Sequence, residues 1–169
     1  MNHGEIILQL EKNKNVFKSL FEGLDSAMIT WKPLPEKWCL LEIICHLYDE
    51  EREDFRARLR HTLETPGLPM PKIDPQGWVK DRSYMERDFE AMVAKFLYER
   101  EESVKWLNSL SMPAWKNIHL HPSLGELSAE MFLGNWLAHD YLHFRQVTFT
   151  KYQYLIKHFN TRFDYAGDW

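Results

Sequence analysis

The chain has 169 residues, enough for one domain (1–169) with a substantial core that needs no disulfides. Its 44% apolar and 27% charged content is that of an ordinary globular protein. A net charge of −4, with both signs interspersed, leaves no footprint for nucleic acid or anionic lipid, and no apolar run approaches the roughly 20 residues of a membrane span.

The opening stretch MNHGEIILQLEKNK is amphipathic rather than signal-like, which predicts a cytoplasmic protein. Residues 4–25 place Ile7, Leu10, Phe17, Leu20, Phe21 and Leu24 at helical spacing, a first helix that Pro33 and Pro35 cannot continue. A second helix is predicted over about 39–63, with a stripe of Leu40, Ile43, Ile44, Leu47, Tyr48, Phe55 and Leu59. Cys39 and Cys45 sit six apart in it, about 9 Å between Cα atoms and beyond disulfide reach, so they read as small core residues. TPGLPMPKIDPQGW, residues 65–78, reads as a long loop. A third helix over about 81–110 carries Met85, Phe89, Met92, Val93, Phe96, Val104 and Leu107 on one face. WKNIHLHPSLGE is a second loop.

The fourth helix starts near Ser123 or Ser128 and runs to about His158. Ser123-x-x-Glu126 has the form of a capping box, with Gly125 weakening it. This helix is apolar nearly all round, which predicts a second covering surface: a homodimer, or the tail HFNTRFDYAGDW folded back. The wealth of Trp, Tyr and Phe fits a subunit interface as well as inter-helix gaps. Four helices with no strand-like alternation predict an all-α four-helix bundle, with a long loop between helices two and three.

Chemistry concentrates in LGNWLAHDYLHFRQV, residues 133–147, where His139 and His143 lie one helical turn apart on one face. With eight histidines in the chain, roughly 0.4 such pairs arise by chance, so the pair alone is a weak motif. Its surround of Phe132, Trp136 and Val147 makes two uncompensated imidazoles costly, and a divalent cation would satisfy both. The leading third ligand is His46, although periodicity places it at the margin of its stripe among Glu42, Asp49, Glu50 and Glu53. Three imidazoles suit Zn or Ni foremost, Fe or Co next, and would leave a position open for water or substrate. Asp140 lies 100° from His139, so it reads as an inter-helix contact or as a partner orienting a ligand ring. Glu50, one turn beyond His46, is the candidate base, with a solvated carboxylate as the plainer alternative. His119 and His121 lie in the loop before the fourth helix and could overhang the site.

The whole chain resembles the DinB-like superfamily. The matching residues are Trp31-Lys-Pro33, Trp38 with Glu42, His46-Leu-x-x-Glu50, His121-Pro-x-x-Gly125-Glu126 and His139-Asp140-x-x-His143-x-x-Gln146. The resemblance implies a four-helix bundle with a three-histidine metal site, in which His46, His139 and His143 take the ligand positions. Similar sequences have Ser or Thr where Cys39 stands. Characterised relatives include thiol S-transferases and a mycothiol-dependent isomerase, while many others carry only the description of metal-dependent hydrolase.

The leading expectation is therefore a metal-dependent enzyme that transfers a low-molecular-weight thiol to an electrophile. In it Phe132 and Trp136 wall the pocket for a small-molecule substrate and Gln146 orients a ligand. Hydrolysis by activated water, with Glu50 as base, is the second expectation. A binding or stress-response module without catalysis is the third.

Overall fold

The computed structural model describes residues 1–167. Helix α1 (His3–Phe21) starts where Asn2 and Glu5 cap each other: the Asn2 side chain accepts from the Glu5 N–H at 2.9 Å, and the Glu5 carboxylate accepts from the Asn2 N–H at 2.7 Å. A short α2 (Ser26–Thr30) and the Pro33–Pro35 stretch lead to α3 (Leu40–Asp49). Cys39 is the residue before α3, and its N–H donates to the Glu42 carboxylate at 2.9 Å. Glu42 thus secures a helix start that lacks a Ser or Thr hydroxyl. The expected single second helix is three segments end to end: α3, a π-helical turn (Glu50–Phe55) and α4 (Arg56–Glu64).

The stretch expected as a loop over 65–78 ends in a helix, α5 (Pro75–Asp81), where Asp74 accepts from the Gly77 N–H at 3.0 Å and Trp78 is buried. The third long helix, α6 (Phe89–Ser109), begins well after residue 81. Ser83 is left-handed at φ 48° and Arg87 is extended, so helical backbone cannot run through them, and Asp88 caps the new start. Met85 consequently lies outside α6 and is exposed.

The expectation of no strands is corrected at 118–128. Strands β1 (Ile118–His121) and β2 (Gly125–Ser128) pair antiparallel, with Ile118 opposite Ser128 and His121 opposite Gly125. Gly125 supplies the φ of +76° that the turn requires, and His121 Nδ1 accepts from the Ser123 and Leu124 N–H groups. Ser123-x-x-Glu126 belongs to this hairpin. The cap of α7 (Ala129–His158) is Ser128, whose hydroxyl accepts from the Met131 N–H at 3.2 Å.

Helices α1, α3–α4, α6 and α7 form the four-helix bundle, with α1 against α6 and α7 and α3 against α6. Its interior has two apolar clusters. One gathers Phe17, Leu47, Phe96 and Val147; the other gathers Leu10, Phe55, Val104 and Leu137. Between them, in the chain order of each of the four legs, stand Asn13, Glu51, Arg100 and Asp140, all buried. Arg100 donates to Glu51 from Nε and Nη2, each at 2.9 Å, and to Asp140 from Nη1 and Nη2, each at 2.7 Å. Its remaining Nη1 proton reaches the Leu10 carbonyl, while Asn13 donates to Asp140 and the Trp136 indole donates to Glu51. All five guanidinium donors are used, as a buried charge requires.

In the tail up to residue 167 Phe159 and Tyr165 are exposed, and the far end of α7 meets Trp31 through Tyr154 and His158. Asp168 and Trp169 of the expected tail fall outside the described residues.

Candidate metal centre

Helix α7 carries His139 and His143 into contact, with their Nε2 atoms 3.0 Å apart. Helix α3 brings His46 across, its ring centre 5.4 Å from that of His139 and 5.0 Å from that of His143. One donor atom from each of the three lies within 4.8 Å of the others. Nitrogens tetrahedrally bound to one cation at 2.0–2.1 Å sit about 3.3 Å apart. The α7 pair is already near that spacing, and the third donor is about 1.5 Å beyond it at most.

Periodicity made His46 a surface residue; the structure buries it to 6% exposure. Every α3 residue except Tyr48 is buried, because α2, α5, α6 and α7 all meet this helix and leave no solvated face. The acids that suggested a wet side are each engaged. Glu42 takes Lys32 at 2.7 Å, and Asp49 takes the Tyr84 hydroxyl at 2.6 Å and Arg82 at 2.8 Å.

Burial keeps the three imidazoles neutral. It lowers His46 to about 3, helped by the charge of His143, and lowers His139 to about 2, helped by His143, His46 and Arg100. It lowers His143 to about 4, with Gln146 opposing the shift. The Nδ1 atoms of His46 and His143 are buried without a hydrogen-bond partner. Three neutral nitrogen donors, two rings with an unpaired buried nitrogen, and aromatic walls from Trp38 on His46 and Phe55 on His139 fit a divalent transition metal.

Glu50 is buried beside His46, with Oε1 3.9 Å from Nδ1 and no hydrogen-bond partner of its own. Burial, reinforced by the neighbouring Asp54 charge, raises its carboxyl, and Asp54 meets Arg58 at 2.9 Å. Asp140 touches no imidazole; it is the inter-helix contact, spent on Arg100 and Asn13.

A cavity of about 850 Å³ opens beside His139 and His143, walled by Trp38, Leu142, Gln146 and Phe149 among others. Gln146 is where a ligand-orienting residue was expected. Phe132 and Trp136 are not on the lining: they face the core, where the Trp136 indole stacks on Phe55 and donates to Glu51. His119 bonds the Pro66 carbonyl and neighbours His61, so with His121 in the hairpin neither joins the histidine group. Sequence reasoning missed Glu51, Arg100 and Asn13. A signal existed for Arg100, which is in phase with Phe96 and Val104 on the apolar face of α6. No helix among the described residues is long and apolar enough to cross a membrane.

A comparison with curated protein sequences finds no match. Among solved structures the chain is similar to YfiT from Bacillus subtilis, with a TM-score of 0.79 and 17% identity over 89% of this chain and 86% of that one. That protein is described as a probable metal-dependent hydrolase with an unusual four-helix bundle topology. The family model of the DinB superfamily matches residues 9–147, and with the bundle and its three-histidine group in place, the chain belongs to the DinB superfamily.

Proposed function

We propose that the protein is a metal-dependent enzyme that transfers a low-molecular-weight thiol to an electrophilic small molecule. The observation that supports it most is the convergence of three neutral imidazoles, of which His139 and His143 stand on the wall of a cavity with no Asp or Glu on its lining. His46, His139 and His143 would hold the metal. A cation held there supplies Lewis acidity, which lowers the pKa of a thiol or water brought against it.

The choice between the two nucleophiles turns on the proton. A free thiol loses its proton near about 8.5, bulk water near about 15.7. No carboxylate stands on the lining to take a proton. The thiol, which needs the least help, therefore fits this lining better. Gln146 would orient the ligand from the cavity wall, while Phe132 and Trp136 act from behind by fixing α7 and Glu51.

Hydrolysis is the second reading, supported by the description of the B. subtilis neighbour. Elemental analysis of protein purified without a His tag comes first, followed by turnover of an electrophile with and without thiol, in the wild type and in His139→Ala. Near-stoichiometric metal and thiol-dependent turnover that falls at least about 100-fold in the variant support transfer. Thiol-independent cleavage of esters or amides supports hydrolysis instead. Equal rates in the two proteins end the transfer reading. Absence of metal, with melting indifferent to chelator, leaves a non-catalytic module. The proposal includes a homodimer in the cytoplasm, formed through exposed apolar groups along α7 such as Tyr141, Leu155 and Ile156; a monomer mass by light scattering would remove that part.

A further inference from the structure

The cavity beside the histidines differs in charge from the other clefts of the molecule. The clefts at Lys14, Arg56 and Arg82 each carry an acid on their lining, and there Lys14 meets Glu101 at 3.1 Å, Arg56 meets Glu99, and Arg82 meets Asp49 at 2.8 Å. Here Lys37 and Arg145 line the wall with no acid among the lining residues. Neither has an ion-pair partner among the described residues, whereas nearby Lys32 is tied to Glu42 at 2.7 Å. On a chain of net charge −4, two cations in one cleft with no acid partner among the described residues are a local reversal of sign.

The rest of the wall is apolar and only partly covered. Leu34 is 52% exposed and Leu142 55%, both facing the same space. Leu34 and Leu142 in water around two cations that meet no acid among the described residues match a ligand with both features. The lining follows α7 from His139 to Gln153, about 21 Å of helix, so a molecule can reach from the histidines past Arg145.

We infer that the cavity takes a small amphiphilic anion, with a carboxylate or phosphate at Lys37 and Arg145 and an apolar stretch along Leu34 and Leu142. This names the substrate class for the site and rests on the reading of the cavity as the reacting pocket. The electrophile or the thiol would carry the acidic group, and the cations would hold it while its other end lies at the imidazoles.

The test is calorimetric titration of chelator-treated protein with four probes of one chain length: hexanoate, hexyl phosphate, hexanol and hexylamine. The two anions should bind more tightly than the alcohol, and the amine least; the tighter anion tells carboxylate from phosphate. In Lys37→Gln/Arg145→Gln the anions should weaken about tenfold while hexanol is unchanged. Both positions are exposed, so the variant keeps its fold and its metal content. Anions that bind no better than hexanol, or that bind the double variant as well as the wild type, overturn the inference. A protein that binds the anions yet takes up no metal keeps this inference and loses the proposed activity.

Discussion

Replacing Arg100 with Met tests the polar layer that crosses the bundle. The change strips Glu51 and Asp140 of two charge-assisted bonds each, at 2.7–2.9 Å, and leaves both carboxylates in a site where neither is more than 2% exposed. Four such bonds at about 1.5–3 kcal/mol would sum to about 6–12 kcal/mol if nothing relaxed. Glu51 keeps the Trp136 indole and Asp140 keeps Asn13, and water can enter, so the loss seen when one partner of a buried pair is removed, about 3–5 kcal/mol, is the better figure. That corresponds to about 6–20 °C in Tm for a chain of this size. Urea unfolding at pH 7 measures it. The penalty should shrink as the pH falls. Without the guanidinium two buried negative charges stand uncompensated, a cost that acid relieves, so the variant gains in acid relative to pH 7. Adding Glu51→Gln and Asp140→Asn removes the stranded charges and should recover most of the loss. A cost below about 1 kcal/mol, or one constant from pH 5 to 8, would refute the reasoning.

The neutral histidines predict how metal uptake responds to pH. Because all three lose their protons well below the ordinary 6.5, affinity measured by chelator competition should stay flat from pH 8 to about 5, and the metal-free protein should lose stability as the pH drops through and below 6.5, where the unfolded chain takes up protons that the folded one refuses. A tenfold fall in affinity per pH unit beginning near 6.5 would contradict this. Trp136→Phe removes one donor from Glu51 while Arg100 still holds both its oxygens, so chemical denaturation should show a loss of about 1–2 kcal/mol; a loss above about 4 kcal/mol would mean that the indole does more than this bond.

The four helices and the His139–His143 pair were legible because both follow from local spacing: one turn of α-helix brings residues four apart together whatever surrounds them. His46 was legible only through resemblance, since its burial is decided by four neighbouring elements. The π turn also blurred the stripe it was judged against. In an unbroken α-helix Phe55 lies about 80° and Leu59 about 120° from Leu47; a turn that absorbs one residue brings both to within about 20°. The hairpin left little trace because each four-residue strand buries a single residue, His119 or Leu127, too few to show alternation. Glu51 and Arg100 were missed for a different reason, Arg100 in spite of its phase on α6. Charges on helices are solvated far more often than buried, and only the partner on another helix makes such burial affordable.

The layer also bears on the site. Apolar clusters hold helices together without setting their axial position strongly, since one methyl packs nearly as well as the next; a planar guanidinium bound to two carboxylates tolerates no such slide. A shift of one residue along α7 is about 1.5 Å, as large as the whole excess in the histidine donor spacing. His46 belongs to α3 and the other two to α7, and the register between these helices is held where Glu51, directly after Glu50, meets Arg100, which grips Asp140, directly after His139. The variant with Arg100→Met, Glu51→Gln and Asp140→Asn separates the two roles. It should recover its stability and still bind metal at least about tenfold more weakly than the wild type, because the fork that aligns the donors is gone. Wild-type affinity in that variant would mean that apolar contacts alone hold the three rings in place, and the layer would then have no part in the metal centre.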